Sequence, residues 1–324
     1  MRLRTLTLWK KLKPLWLGIA GWAGISIVMM VLWGYSVMDF RGGLPDVEVA
    51  SSQTIKIDKK HPVKTIDIHG EGVAVEIGSS YDIKDIQIQL YGSAYINQKA
   101  SWVQNENGDL QIRLDAYPVI ANAYGYRTED TLVMRILLPT KSYDAITIHG
   151  KRLNAVLHQC KAKQLNVDTA YGAIALYHTD FQRATLSSET SGIHIERSRV
   201  HHLEIQNDSG DTYLFDNQLR YIRYLGNSGE FRALTDKIKG IWELSSDDGN
   251  IYIGTRKWHD NLMLQLHSEE GEIIANSKTK PWKETIPNAL TAHELILLEG
   301  RGEHMLCADS QSGNITLDTV KFAR

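Results

Sequence analysis

Serine, histidine and acidic residues are plentiful in this chain, but their spacing builds no familiar reaction centre. Gly226-Asn227-Ser228-Gly229 is not the G-x-S-x-G elbow that lifts a nucleophile onto a strained turn. His293-Glu294 lacks the second histidine that a zinc-protease helix needs one turn later to close the metal site. There is no phosphate-cradling P-loop, and Gly300-Arg301-Gly302 stands without the rest of a dinucleotide fingerprint. Asn207-Asp208-Ser209 and Asn314-Ile315-Thr316 match the glycosylation triplet, yet both fall inside a recurring turn-and-strand pattern. The chain therefore reads as a non-enzyme with no cofactor.

Three further sets carry chemical potential. Asp208, Asp211, Asp247, Asp248, Glu269, Glu270 and Glu272 recur at turns, where stacked carboxylates would attract Ca²⁺. The G-x-D pattern of Ca²⁺-binding solenoids is missing, and turn chemistry alone favours Asp, Asn, Ser and Gly there. His201 and His202 are adjacent, and neighbours on a regular strand point to opposite faces, so no chelate is expected. No metal is assigned. The third set, Tyr177, His194, Tyr213, Phe215, Arg232 and Tyr252, falls at outward strand positions and is the candidate binding face. Aromatic rings with an arginine suit a sugar or a protein hot spot. If the face is functional, its rings are expected to share one patch free of the chain's own contacts.

The elements that would position this face repeat. Turns recur at Ala170-Tyr171-Gly172, Asp208-Ser209-Gly210, Asn227-Ser228-Gly229, Asp247-Asp248-Gly249 and Glu269-Glu270-Gly271. Counting from the turn glycine, or in the second unit from Ser191, where Gly192 comes one place late, position −7 holds Leu165, Ala184, Leu203, Ile222, Trp242 and Leu264, and position −5 holds Val167, Leu186, Ile205, Tyr224, Leu244 and Leu266. Position +2 holds Ile174, Ile193, Thr212, Phe231, Ile251 and Ile273. A period of about 19–20 residues with apolar slots in register is the mark of stacked coils, each too short to enclose a core alone. The expected fold is all-β: a parallel β-solenoid over 141–324, starting near Ile146, with closing strands at its C-terminal end. A β-rich lead-in over 50–140 shows alternation (Ile66/Ile68, Val73/Val75/Ile77) without a regular period.

Ahead of it, residues 1–14 hold five basic residues and no acid, and Leu15–Met38 is a 24-residue run without charge. Such a run spans a bilayer, and the basic flank stays cytoplasmic, so residues after the linker 39–49 are expected outside. A cleaved signal peptide is the competing reading, but the run is long and ends in Tyr35-Ser36-Val37-Met38, which is too bulky for a cleavage site. The exported part carries about −7 of formal charge, which argues against nucleic acid as a partner. Cys160 and Cys307 fall near opposite ends of the stack, too far apart to bond.

The lone anchor, the phrase LLPTKSYDAITIHG at 137–150, and the repeats SGDTYL, SGEFRAL, DGNIYI and SGNITL resemble the bacterial putative-adhesin family of β-strand-repeat proteins. That family includes the membrane-anchored G component of the Lia cell-envelope stress operon. The resemblance implies an exported, envelope-associated protein without catalysis, and it offers no functional residues to carry over. The functional expectation is a membrane-anchored binding or structural module whose partner is a cell-wall glycan or a membrane protein. The rival expectations are a polysaccharide-active β-helix enzyme, which would need long loops walling a cleft, and a passive spacer.

Overall fold

Strands in this chain come in pairs, one pair per turn of a flattened coil. The computed structural model describes residues 47–48, 51–57, 61–91, 93–94, 100–115, 132–258, 261–276, 294–298 and 303–320. The basic segment 1–14 and the expected membrane anchor 15–38 lie outside these residues. Of the expected linker, Val47–Glu48 is a short strand paired antiparallel with Ser93–Ala94.

In the regular part, each coil gives its first strand to one twelve-stranded sheet, here sheet I, and its second strand to another, sheet II. Numbered by place in the stack, coil 3 is Tyr143–Gly150 with Leu153–His158, and coil 4 is Lys161–Thr169 with Ile174–Tyr177. Coil 5 is Asp180–Ser188 with Ile193–Glu196, and coil 6 is Arg199–Asn207 with Thr212–Phe215. Coil 7 is Gln218–Gly226 with Phe231–Thr235, and coil 8 is Ile241–Ser246 with Ile251–Thr255. Neighbouring coils pair in parallel, for example Leu203 with Ile222 and Leu214 with Ala233. The apolar slots read from the sequence are buried through coils 4–8, including Leu203, Ile205, Leu214 and Leu219. Hydrophobic burial between the two sheets is what closes each coil.

The turn glycines have a mechanical reason. A β-carbon on Gly210, Gly229 or Gly249 would run into the backbone carbonyl of Ser191, Gly210 or Gly229 in the neighbouring coil. Three residues earlier, a buried small polar side chain accepts from the turn amide: Ser246 Oγ from Gly249 N at 3.0 Å, Ser268 Oγ from Gly271 N at 3.0 Å, Ser310 Oγ from Gly313 N at 2.9 Å. Coil 7 has Gly226 in that slot, because the Tyr224 ring reaches into the space a side chain would need.

Both ends depart from the expected plan. Four of the described strands between Thr65 and Pro139 belong to the same stack as the regular repeats. Thr65–Glu71 and Val73–Ser80 form coil 2, paired in parallel with coil 3. Asp109–Asp115 and Leu132–Pro139 form coil 1 on its far side. The array thus begins well before Ile146; the residues that separate coil 2 from coil 1, and the two strands of coil 1 from each other, destroy the period. At the other end the expected closing strands His304–Ser310 and Ile315–Thr319 are not terminal. They form coil 9, inserted between coil 8 and coil 10, the latter made of Leu262–Ser268 and Ile273–Asn276. Antiparallel strands cover three of the four sheet edges: Ser101–Gln104 and Glu294–Leu298 on sheet I, and Ile86–Tyr91 followed by Ser51–Ile55 on sheet II.

Candidate binding face

The six candidate residues fall on the outward face of sheet II in five consecutive coils. Strand alternation turns Ile174, Leu176 and their equivalents inward, which leaves the intervening positions outside. Parallel pairing then places His194 beside Tyr213, Tyr213 beside Arg232, and Arg232 beside Tyr252. Phe215 flanks this row between Glu196 and Leu234, and Tyr177 lies opposite Glu196. The five rings are half-buried and Arg232 is exposed.

The rings are not free of the coil's own contacts, and this corrects the expected free patch. In-register strands hold equivalent side chains about 4.8 Å apart, close enough for rings to lean on one another. His158 stacks on Tyr177 with centroids 5.0 Å apart and planes 12° from parallel, and Tyr177 meets His194 at 5.5 Å. The Arg232 guanidinium lies 4.7 Å over the Tyr252 ring. What these side chains offer to solvent is ring edges and polar tips.

Those tips are tied to acids. Tyr213 donates to Asp211 Oδ2 at 3.1 Å, and Tyr252 donates to Asp318 Oδ2 at 3.1 Å. Burial, then the carboxylate partner, pushes each phenol above its ordinary pKa. His194 faces Glu196 at 3.5 Å, and Arg232 faces Glu230 at 3.7 Å. Sequence reading missed His158, Glu196, Glu230 and Asp318, and set Asp211 among the turn acids rather than on this face. The period would have found His158, which stands one coil before Tyr177; Asp318 enters only through the inserted coil 9.

The two histidines judged incapable of chelation are arranged differently from a regular strand. The sheet I strands of coils 4 to 7 break the alternation near this point, so that Val200 and Leu203 are both inward while His201 and His202 both lie outside the core. They still do not converge. His202 meets Glu204 at 2.8 Å and stacks on Tyr221 at 4.3 Å, whereas His201 lines a separate hollow. Among the described residues no three His, Cys, Asp or Glu side chains gather as a metal site would require. Cys160 is buried and Cys307 half-buried, both as free thiols, and burial pushes the Cys160 thiol up to about 12.

A family model for Toastrack DUF4097 matches residues 63–318, which takes in all ten coils. The chain belongs to the Toastrack DUF4097 family. No curated protein matches it. Two solved structures are similar to this Toastrack chain at low identity. One is a putative adhesin from Bacteroides fragilis, 14% identical over 84% of this chain and 97% of the other, with a TM-score of 0.37. The other is a putative cell adhesion protein from Clostridium sporogenes, 9% identical over 84% of this chain and 100% of the other, with a TM-score of 0.24. The resemblance drawn from the repeats is thereby upheld at the level of the family.

Proposed function

We propose that this Toastrack protein is a non-enzymatic binding module, held at the outer side of the cytoplasmic membrane by residues 15–38 and acting within the bacterial envelope. The observation that carries the reading is the register of Tyr213, Arg232 and Tyr252 on adjacent strands of one solvent-facing sheet. Tyrosine and arginine dominate protein hot spots. Because the Tyr177 and Tyr252 rings are partly covered by His158 and Arg232, edge and hydroxyl contacts with a membrane protein suit the face better than flat stacking on a cell-wall sugar.

The test uses the full chain in detergent micelles, with Tyr213→Ser and Tyr252→Ser combined. Both side chains stand outside the core, so stability falls by about 1–2 kcal/mol at most. Cross-linking to the partner that the native chain captures should be lost. A folded double variant that still captures it rules this face out; retention of purified cell wall by the native chain alone would make the glycan the ligand. For the anchor, protease added to wall-free cells should digest residues 50–324 and spare the first few. Full protection would reverse the topology.

A further inference from the structure

Where each sheet II strand hands over to the sheet I strand of the next coil, the coils leave a continuous corner. A trough of about 640 Å³ runs along it past coils 4 to 7, and a second hollow of about 350 Å³ shares Asp180 and Arg199 with it. Its floor is a closed polar ladder. Thr179, Ser198 and Asn217 are buried, Thr179 Oγ1 donates to Ser198 Oγ at 3.0 Å, Ser198 N to Asn217 Oδ1 at 2.8 Å, and Asn217 Nδ2 to Ile195 O at 2.7 Å. The floor satisfies itself and asks for no ligand.

The walls are different. His178, Arg197 and Asp216 line the trough 19 residues apart, with φ of 55°, 47° and 52°. That left-handed conformation crowds a β-carbon, and glycine would adopt it without strain. The backbone is held there by the next coil: Arg197 N donates to Phe215 O at 2.9 Å and Asp216 N to Leu234 O at 2.9 Å. The same conformation recurs one coil earlier at Gln159, with φ of 54°, so it belongs to the handover itself; within the trough three successive coils fill it with an ionisable side chain where glycine would be unstrained. Strain retained in this way is a pointer to function.

Charge gives the ligand class. Lys161, Arg197, Arg199, Lys237 and Lys239 line the two hollows against Asp180, Asp216 and Asp236, a net positive strip on an acidic domain. Most of these charges are already paired: Asp180 lies 3.6 Å from Lys161 and 3.5 Å from Arg199, Asp236 lies 2.6 Å from Arg256, and Arg197 lies 3.4 Å from Glu196. Lys237 and Lys239 have no carboxylate within ion-pair distance among the described residues. We propose that the trough binds a linear polyanion, a chain bearing phosphate or carboxylate groups laid along the stack against Arg197, Arg199, Lys237 and Lys239. A single small anion would occupy one handover, whereas these cations stand at two handovers, two coils apart, on either side of Asp216.

The test is binding of labelled polyphosphate and of labelled polygalacturonate to the full chain in nonionic micelles at low salt. The native chain should bind at least one; polyphosphate alone assigns phosphate, polygalacturonate alone assigns carboxylate. Lys237→Glu with Lys239→Glu should weaken binding about tenfold or more and flatten the salt dependence by about one to two log units per decade. Asp216→Asn removes the one carboxylate without an ion pair, suits a left-handed backbone, and should tighten binding severalfold. Arg197→Gly should weaken binding while raising Tm, a pairing that a structural arginine would not give. Failure of the native chain to bind either polymer, or equal binding by the native, Lys237→Glu/Lys239→Glu and Asp216→Asn chains, overturns the proposal.

Discussion

Coils 4 to 7 and the two ends of the stack solve the same packing problem in opposite ways. In the middle, each coil follows its predecessor both in sequence and in space, and one set of inward slots serves every coil. At the ends that order is broken. Coil 2 precedes coil 1 in the chain but lies inside it, and coil 9 follows coil 10 but lies inside it. The difference shows that a ladder of equivalent slots specifies that coils stack, not in which order they stack. Residues 304–319 carry the same pattern as any middle coil, with Leu306 and Ala308 before Gly313 and Ile315 and Leu317 after it, so they pair equally well on both sides. The C-terminal end thereby sets its last described coil between two neighbours, where fraying would break pairing on both sides, whereas at the other end Ser51–Ile55 lies at the edge of sheet II.

The largest way to break this arrangement is to stop the chain after Leu298. That removes coil 9, which among the described residues is the only parallel neighbour of coil 10 in both sheets. In a stack built in chain order, losing the last coil would leave the rest protected. Here Leu262–Ser268 and Ile273–Asn276 should lose hydrogen-exchange protection together, and Ile251 and Ile253 of coil 8 should be exposed at a raw edge. Persisting protection over 262–276 would mean that coil 10 can dock directly on coil 8.

A smaller effect probes the middle. Ile205 is 2% exposed between the Leu186 and Tyr224 positions of the adjacent coils. Ile205→Asp buries an unpaired charge and should cost about 3–5 kcal/mol in denaturant unfolding, whereas Glu204→Ala on the outer face should change stability by less than about 0.5 kcal/mol. Equal effects would place the inward register one residue out.

These contrasts explain what could be read from residues alone. The slots of coils 4 to 8 were legible because neighbouring coils differ by 19 or 20 residues, so packing and period coincide. Coils 1 and 2 were not, since Ile66 and Ile68 pair with Leu110 and Ile112 across a long detour that leaves no fixed spacing. The position of coil 9 was hidden for a different reason: sequence order is a poor guide where any coil fits any neighbour. The outward face followed from alternation, but alternation says nothing of whether rings face solvent or each other. The strained corner at His178, Arg197 and Asp216 left only a weak trace, a polar residue at one period, because no residue type there announces a positive φ.

The smallest effect sharpens the comparison on the outward face of sheet II at its coil 1–2 end. Here Arg135 and Tyr91 close on one carboxylate: Tyr91 donates to Glu76 Oε2 at 2.7 Å, and Arg135 Nε to the same oxygen at 2.9 Å. Burial alone would raise the Glu76 pKa, but the Tyr91 hydroxyl and the Arg135 guanidinium outweigh it and hold the carboxyl below its ordinary value. A carboxyl with a depressed folded pKa adds stability above its unfolded pKa and loses it as pH falls through the folded one. Both Glu76 and Arg135 are substantially solvent-exposed, so screening keeps this contribution to about 1 kcal/mol or less. Glu76→Gln should therefore lower Tm slightly near neutral pH, and the gap to the native chain should close between about pH 5 and pH 3. A gap independent of pH would assign the cluster's contribution to packing of the Tyr91 ring under Arg135, 5.0 Å from its centroid, rather than to the ion pair.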